Sequence, residues 1–417
     1  MTHAPGKLVR WGKTVLLCVL AAAALEGGAR LYHHYTIGPY PTYEPRHLVD
    51  FYRFYRVNPA YRSKNVRVDS AGFRNDEEIT PQKPAGVYRI VMMGGSTVWG
   101  EDAASPFSGT IDNTNTIAAH LEQSLNRQAR AEQIPLRIQV INAGVVGYVL
   151  FQNVIYFNTR IADFHPDLVI AMDGHNDLDA LQLDVPEYRH RNDPGFDRAE
   201  NDPGLVDVFG QLIHYASRKS QFVRGVSSRL TEVASRTVLQ SNSWRDRFAK
   251  HPDDAAIDYW IEHYATAARR LDSSVRIAGA RALFSVQLEM AGERVKPLTS
   301  GERRMFEYYG YYRWLHTTMR DRLIARMERL AADNGIWFAD VTDVFKNEPA
   351  QAYLDYTHLT DRGSAVMAER LASLVSAEVF RGARLDTDSE QGSSLEATTV
   401  PRNGKIVHTT LQRITQK

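Results

Sequence analysis

From Tyr88 to Thr97 the chain reads Tyr-Arg-Ile-Val-Met-Met-Gly-Gly-Ser-Thr. A short apolar run that breaks into glycines is the pattern of a buried strand followed by a tight turn. Glycine there lets the backbone bend sharply and lets another segment approach closely. A serine just beyond would stand at the carboxyl edge of a sheet, where open α/β sheets collect their ligands. By itself the stretch is a strand and a Gly-Ser loop. Its meaning depends on the rest of the chain.

The rest alternates. Arg89–Met93 reads as a strand and Thr116–Gln128 as a helix, with Ile117, Ala118, Leu121 and Leu125 at helical spacing. Leu136–Ile141 is a second strand, ending in the turn Asn142–Gly147. Tyr148–Ile161 is a helix, and Asp167–Met172 a third strand ending in Asp173-Gly174-His175-Asn176-Asp177. After an interruption come a helix over Ala256–Gly279, a strand over Arg281–Gln287 and a long helix over Arg304–Asn334. A short strand, Trp337–Val341, and a last helix, Asp361–Phe380, complete the series. Strands and helices in alternation, with glycine turns at strand ends, imply an α/β fold with a parallel sheet covered on both faces.

Around this core the sequence divides the chain further. Residues 31–85, rich in Tyr, Arg and Pro, read as an extended lead-in, with a small strand and turn over Val66–Asn75. Residues 86–382 form the main domain, interrupted at 179–253 by a Pro-, Arg- and Asp-containing insertion without a clean strand. Residues 383–417 are polar and aperiodic and read as a disordered tail.

Residues 1–30 carry the localisation signal. Lys7, Arg10 and Lys13 precede the apolar run Thr14–Leu25. A basic flank before an apolar run marks a signal peptide or signal anchor. The run is shorter than the roughly 20 residues of a spanning helix, so Glu26–Ala29 would have to help, with Glu26 near the interface. The favoured reading is an uncleaved anchor with the body outside the cytoplasm, on the periplasmic or cell-surface side. A cleaved signal would make the protein secreted, and a buried N-terminal helix is the third reading.

Fifty basic and 49 acidic residues leave a formal net charge of +1, which argues against nucleic acid as a partner. Cys18 is the single cysteine, so no intramolecular disulfide or multi-cysteine zinc site can form. The pair His33 and His34 and the isolated His190 lack metal-ligand spacing, and no cofactor is expected.

In a parallel sheet, strand ends on one edge face a common crevice, so Ser96, Gly147 and Asn176 can meet, with Asp355 and His358 just before the last helix. A serine hydroxyl needs a base to act as a nucleophile at neutral pH. His358 can be that base, and Asp355, three residues earlier, can hold its other nitrogen. The Ser96 and Gly147 amides and the Asn176 side chain are donor types suited to an oxyanion. Each signal alone has a plain structural reading: a turn glycine, a polar loop, a capping Asp beside a surface His.

At these residues the chain resembles the SGNH hydrolases, a branch of the GDSL esterase/lipase superfamily. The likeness lies in Gly94-Gly95-Ser96-Thr97, Asn142-Ala143-Gly144-Val145-Val146-Gly147, Gly174-His175-Asn176-Asp177 and Asp355-Tyr356-Thr357-His358, and covers roughly residues 86–380 apart from 179–253. The resemblance implies a flavodoxin-like three-layer α/β/α sandwich, with Ser96 as nucleophile, His358 as base and Asp355 as its orienting group. It also implies Ser96, Gly147 and Asn176 as the oxyanion hole, with Gly144 as a substitute for Gly147. Gly95 stands where the family usually has Asp, a residue that mainly supports the loop. Val98 stands where a Gly-x-Ser-x-Gly elbow would need its second glycine, against the α/β-hydrolase alternative.

Other residues in these blocks have modest expected roles. His175 is a loop residue able to line the crevice, and Asp177 a loop brace. Trp99 is a core or pocket-mouth residue, and the aromatic run Tyr308–Trp314 a helix-packing segment or sugar platform. The resulting expectation is a membrane-anchored serine esterase or O-acyltransferase acting on ester groups of a small molecule or polysaccharide, O-acetyl groups among them. A non-catalytic carbohydrate-binding or envelope-assembly protein is the alternative. Retention of Ser96, Asp355 and His358 together argues against it.

Overall fold

The computed structural model describes residues 5–36, 46–63, 65–100, 111–182, 254–290, 296–308 and 310–381, with positions 216, 220, 222, 223 and 226. Most of the expected insertion 179–253 and the tail 383–417 lie outside the described residues.

The central sheet has five strands: β3 (Val87–Gly94), β4 (Arg137–Asn142), β5 (Leu168–Asp173), β6 (Arg281–Val286) and β7 (Trp337–Phe338), which follow a separate hairpin, β1 (His47–Asp50) and β2 (Phe54–Val57). Their spatial order is β4-β3-β5-β6-β7, and every adjacent pair is parallel. The chain therefore winds outward from β3 first to one side and then to the other. The reversal creates a crevice between the carboxyl ends of β3 and β5.

The strands read as continuous apolar runs because both faces are covered. Val91, Met93, Val169, Ala171 and Phe284 point into one core, shared with α4 (Leu150–Thr159), α6 (Asp254–Ile277) and α8 (Gly310–Asn334). Ile90, Met92, Val140, Ile170 and Leu283 point into the other, shared with α3 (Ile117–Ala131) and α9 (Asp361–Val379). Two hydroxyls set helix starts: Thr116 Oγ1 accepts the Ala119 amide, and Thr360 Oγ1 accepts the Gly363 amide. Each satisfies an amide that the first turn leaves free.

Four elements differ from the sequence expectation. The N-terminal helix α1 runs from Pro5 to Thr36, past the apolar run and into the expected lead-in. Its segment Lys13–Tyr32 is long and apolar enough to cross a membrane, and Glu26 within it pairs with Arg30 one turn on at 2.7 Å. Part of the lead-in forms the β1–β2 hairpin, because Tyr55 and Val57 give its inner face something to pack with. Helix α7 (Ser300–Tyr308) starts before the expected Arg304, and Tyr309 between it and α8 lies outside the described residues. The last strand stops at Phe338, where only two residues pair with β6.

Candidate active site

Ser96 opens the short helix α2 (Ser96–Trp99), directly after β3. At the first position of a helix its amide has no intrahelical acceptor. Its hydroxyl stands 2.6 Å from Nε2 of His358, and Nδ1 of the same ring stands 2.8 Å from Oδ2 of Asp355. All three side chains are buried. The other Asp355 oxygen accepts the amides of Thr357 at 2.9 Å and His358 at 2.8 Å. That turn locks the carboxylate and the imidazole in one geometry before any substrate arrives.

The turn is fastened to the sheet. The Thr357 hydroxyl donates to the Leu288 carbonyl and accepts from Gln287 Nε2, while the Met290 amide donates to the Tyr356 carbonyl. Thr97 Oγ1 donates to the Thr357 carbonyl and ties the two halves of the site directly. Glu302 accepts the amides of Thr299, Ala352 and Tyr353 and pairs with the buried Lys296 at 3.0 Å. Burial would raise the Glu302 carboxyl; the Thr299 and Ala352 amides and Lys296 overcome that and hold it below the usual glutamate range.

The expected oxyanion donors are gathered at the same edge. Asn176, on α5 (His175–Gln182), donates from Nδ2 to the Tyr148 carbonyl at 2.7 Å, which leaves its second N–H. Gly147 has φ +82°, a conformation that L side chains seldom adopt, and its amide has no acceptor among the described residues. Gly144 cannot substitute for it: its amide donates to Asn142 Oδ1 at 3.1 Å. A Cβ on Gly144 would meet the Trp99 backbone nitrogen at 2.4 Å, so this glycine serves the close approach of the β4 turn to α2. Trp99 is buried in the core and does not line the mouth.

Gly95 also has a positive role. A Cβ there would stand 2.4 Å from Asn176 Nδ2. The missing side chain makes room for the amide.

Behind Asn176 lies a buried carboxyl pair. Asp177 accepts the amides of Leu150 and Gly174, at 3.2 and 3.1 Å, and so braces its loop as expected. Burial pushes it up to about 7. Asp173, bonded to Asn153 Nδ2, is raised by burial and then by the Asp177 charge. His175 is more than a loop residue: Nδ1 lies 2.7 Å from Glu289 Oε1 and 2.8 Å from the Tyr356 hydroxyl, all buried. Glu289 lies in no sequence block, and Tyr356 and Asp173, though they sit in such blocks, carry no local sign of these contacts, which only the tertiary packing makes. Side chains of the aromatic run beyond Glu307, up to Trp314, lie outside the described residues, and no metal-binding cluster occurs among the described ones.

No protein-family model matches the chain, and no curated protein matches it. Solved structures with a similar course include an acetylxylan esterase from Geobacillus stearothermophilus, at 14% identity and TM-score 0.36, covering 69% of this chain and 92% of that one. Another is the acetyl xylan esterase AlAXEase, at 12% identity and TM-score 0.36, covering 69% and 99%. A third, described as an alpha/beta hydrolase enzyme from the metagenome of Lake Arreo, Spain, has 15% identity and TM-score 0.37, covering 70% and 95%. At these identities and scores no family assignment follows.

Proposed function

We propose that this chain is a serine esterase or O-acyltransferase of the SGNH type, held at a membrane by α1, which acts on ester groups such as the O-acetyl groups of a polysaccharide. The observation that carries the reading is the imidazole of His358, placed between Ser96 at 2.6 Å and Asp355 at 2.8 Å. The sheet order, which counted from β3 is that of doubly wound flavodoxin-like sheets, is consistent with it.

The chemistry follows from the positions. Ser96 Oγ attacks the ester carbonyl as His358 Nε2 takes its proton. Asp355 accepts the Nδ1 hydrogen bond and stabilises the imidazolium. The carbonyl oxygen, now negative, is met by the Ser96 and Gly147 amides and the free Asn176 N–H. Collapse expels the alcohol, which leaves with the proton from Nε2. Water, or an acceptor hydroxyl in transfer, then attacks the acyl-Ser96 carbonyl by the same steps in reverse.

A fluorophosphonate probe and a short-chain aryl ester test this. Wild-type protein is labelled at Ser96 and turns over the ester, and Ser96→Ala loses both. Equal turnover by Ser96→Ala, or no labelling of folded wild type, removes the mechanism.

A further inference from the structure

A cavity of about 280 Å³ lies away from Ser96, between the β1–β2 hairpin, the turn at Ser70–Gly72 and helix α4. Its charged lining is Asp50, Arg53, Arg56 and Arg160. Arg53 is already satisfied: it pairs with Asp50 at 2.7 Å and lies over the Tyr156 ring at 4.4 Å. Arg56 and Arg160 have no carboxylate partner among the described residues; Arg160 rests only on the Phe164 ring, at 5.1 Å. Two uncompensated guanidiniums in one concave site attract an anion, and their planar donors suit a phosphate.

The rim has the opposite character. The turn between Asp50 and Arg53 consists of Phe51 and Tyr52, which are 90% and 64% exposed, and Val49 beside them is 83% exposed. Large apolar side chains this exposed, clustered on one hairpin tip, need an apolar partner. Aromatic residues beside arginines are the composition of membrane–water interfaces. The tip is also within reach of a bilayer. Only the segment 37–46 separates it from α1, and that segment spans at most about 35 Å.

We propose that the arginine cavity takes the phosphate of an anionic phospholipid headgroup while Val49, Phe51 and Tyr52 enter the interfacial layer of the same bilayer. The hairpin then forms a second membrane contact, one that sets the orientation of the body. The proposal rests on α1 as a membrane segment and is independent of the catalytic reading.

The test uses the full chain with Cys18→Ser and one new cysteine, labelled with an environment-sensitive fluorophore, in vesicles of phosphatidylcholine with or without phosphatidylglycerol. The sites are Phe51→Cys, Leu20→Cys within α1, and Tyr259→Cys on α6, an exposed control. In phosphatidylglycerol vesicles the label at 51 should shift to the blue and be quenched by shallow spin-labelled lipid, and the label at 259 should stay wet. Adding Arg56→Gln and Arg160→Gln should lower the docked-to-undocked ratio roughly tenfold or more, with ester turnover unchanged. A label at 51 as wet as that at 259, while position 20 is quenched, overturns the proposal and leaves α1 as the anchor. No quenching at 20 overturns both. Inorganic phosphate that raises the thermal midpoint of wild type but not of the double arginine variant, with position 51 wet, would make the cavity a free-anion site and overturn the lipid assignment.

Discussion

A methyl group on Gly95 would stand 2.4 Å from the side-chain nitrogen of Asn176. Asn176 cannot simply move aside, because that nitrogen is bonded to the Tyr148 carbonyl at 2.7 Å. Gly95 and Asn176 are thus matched: the absence of a side chain at the end of β3 is what admits a hydrogen-bond donor from the end of β5.

Gly95→Ala should therefore act through Asn176. We expect kcat for an aryl ester to fall about a hundredfold to a thousandfold, the loss of one oxyanion donor, with a smaller change in thermal midpoint. Gly95→Asp, which puts a larger side chain at the same point, should fall at least as far. Steady-state kinetics with both variants check this, and wild-type kcat in Gly95→Ala would show that the Asn176 amide has no part in the rate.

Asp355→Asn should lower kcat by about 10⁴ while KM changes little, because an amide can present its N–H to Nδ1 and favour the wrong tautomer of His358. The turn should survive, since the amide oxygen can still accept from Thr357 and His358, which now bond Oδ1. Parallel kinetics and thermal melts separate the two effects. A variant whose melt collapses along with its rate would assign Asp355 to the fold rather than to the chemistry.

The buried carboxyl pair sets a pH dependence. Burial pushes Asp177 up to about 7, so the folded protein keeps a proton that the unfolded chain releases near pH 4. The folded state binds more protons across that window, so this group's contribution to stability falls as pH rises from about 4 to about 7, then levels off. Asp173, raised for the same reason, adds to the trend. Asp177→Asn should flatten the fall in thermal midpoint between about pH 4 and 7, while lowering stability at the acid end, where the Leu150 and Gly174 amides lose a full acceptor. Equal slopes for variant and wild type would assign the titration elsewhere.

Glu302→Ala leaves Lys296 buried without its partner carboxylate and frees the amides of Ala352 and Tyr353. Breaking such a pair costs about 3–5 kcal/mol. Denaturant unfolding should show that loss, and Ser96 labelling should slow because the segment leading to Asp355 loosens. Arg362→Ala, which removes the exposed partner of Glu348, is the contrast and should cost under about 1 kcal/mol.

Much of the fold was legible along the chain because each sheet strand is buried on both faces and so reads as an apolar run. Arg89–Met93, Leu136–Ile141 and Asp167–Met172 were each located to within about two residues, within the usual uncertainty of element ends. The lead-in was harder. Its hairpin is held by Tyr55 and Val57 against the main domain, and by the Tyr55 hydroxyl on the Val146 carbonyl at 3.0 Å. These partners lie about ninety residues away, and local pattern carries no trace of them.

Ser96, Gly147, Asn176, Asp355 and His358 could be singled out because the roles proposed for them require particular residue types at strand ends and before the last helix. The sequence by itself determined that much: the alternation, the edge on which these residues fall, and the apolar N-terminal segment. Only the tertiary structure decided which glycine keeps its amide free, because that depends on Asn142 capturing Gly144. It alone disclosed the fit of Gly95 to Asn176, the buried pair Asp173 and Asp177, and the union of His175 with Glu289 and Tyr356. The physical reason is common to all of them: each depends on distances between segments far apart in the chain, and those distances exist only once both faces of the sheet are packed.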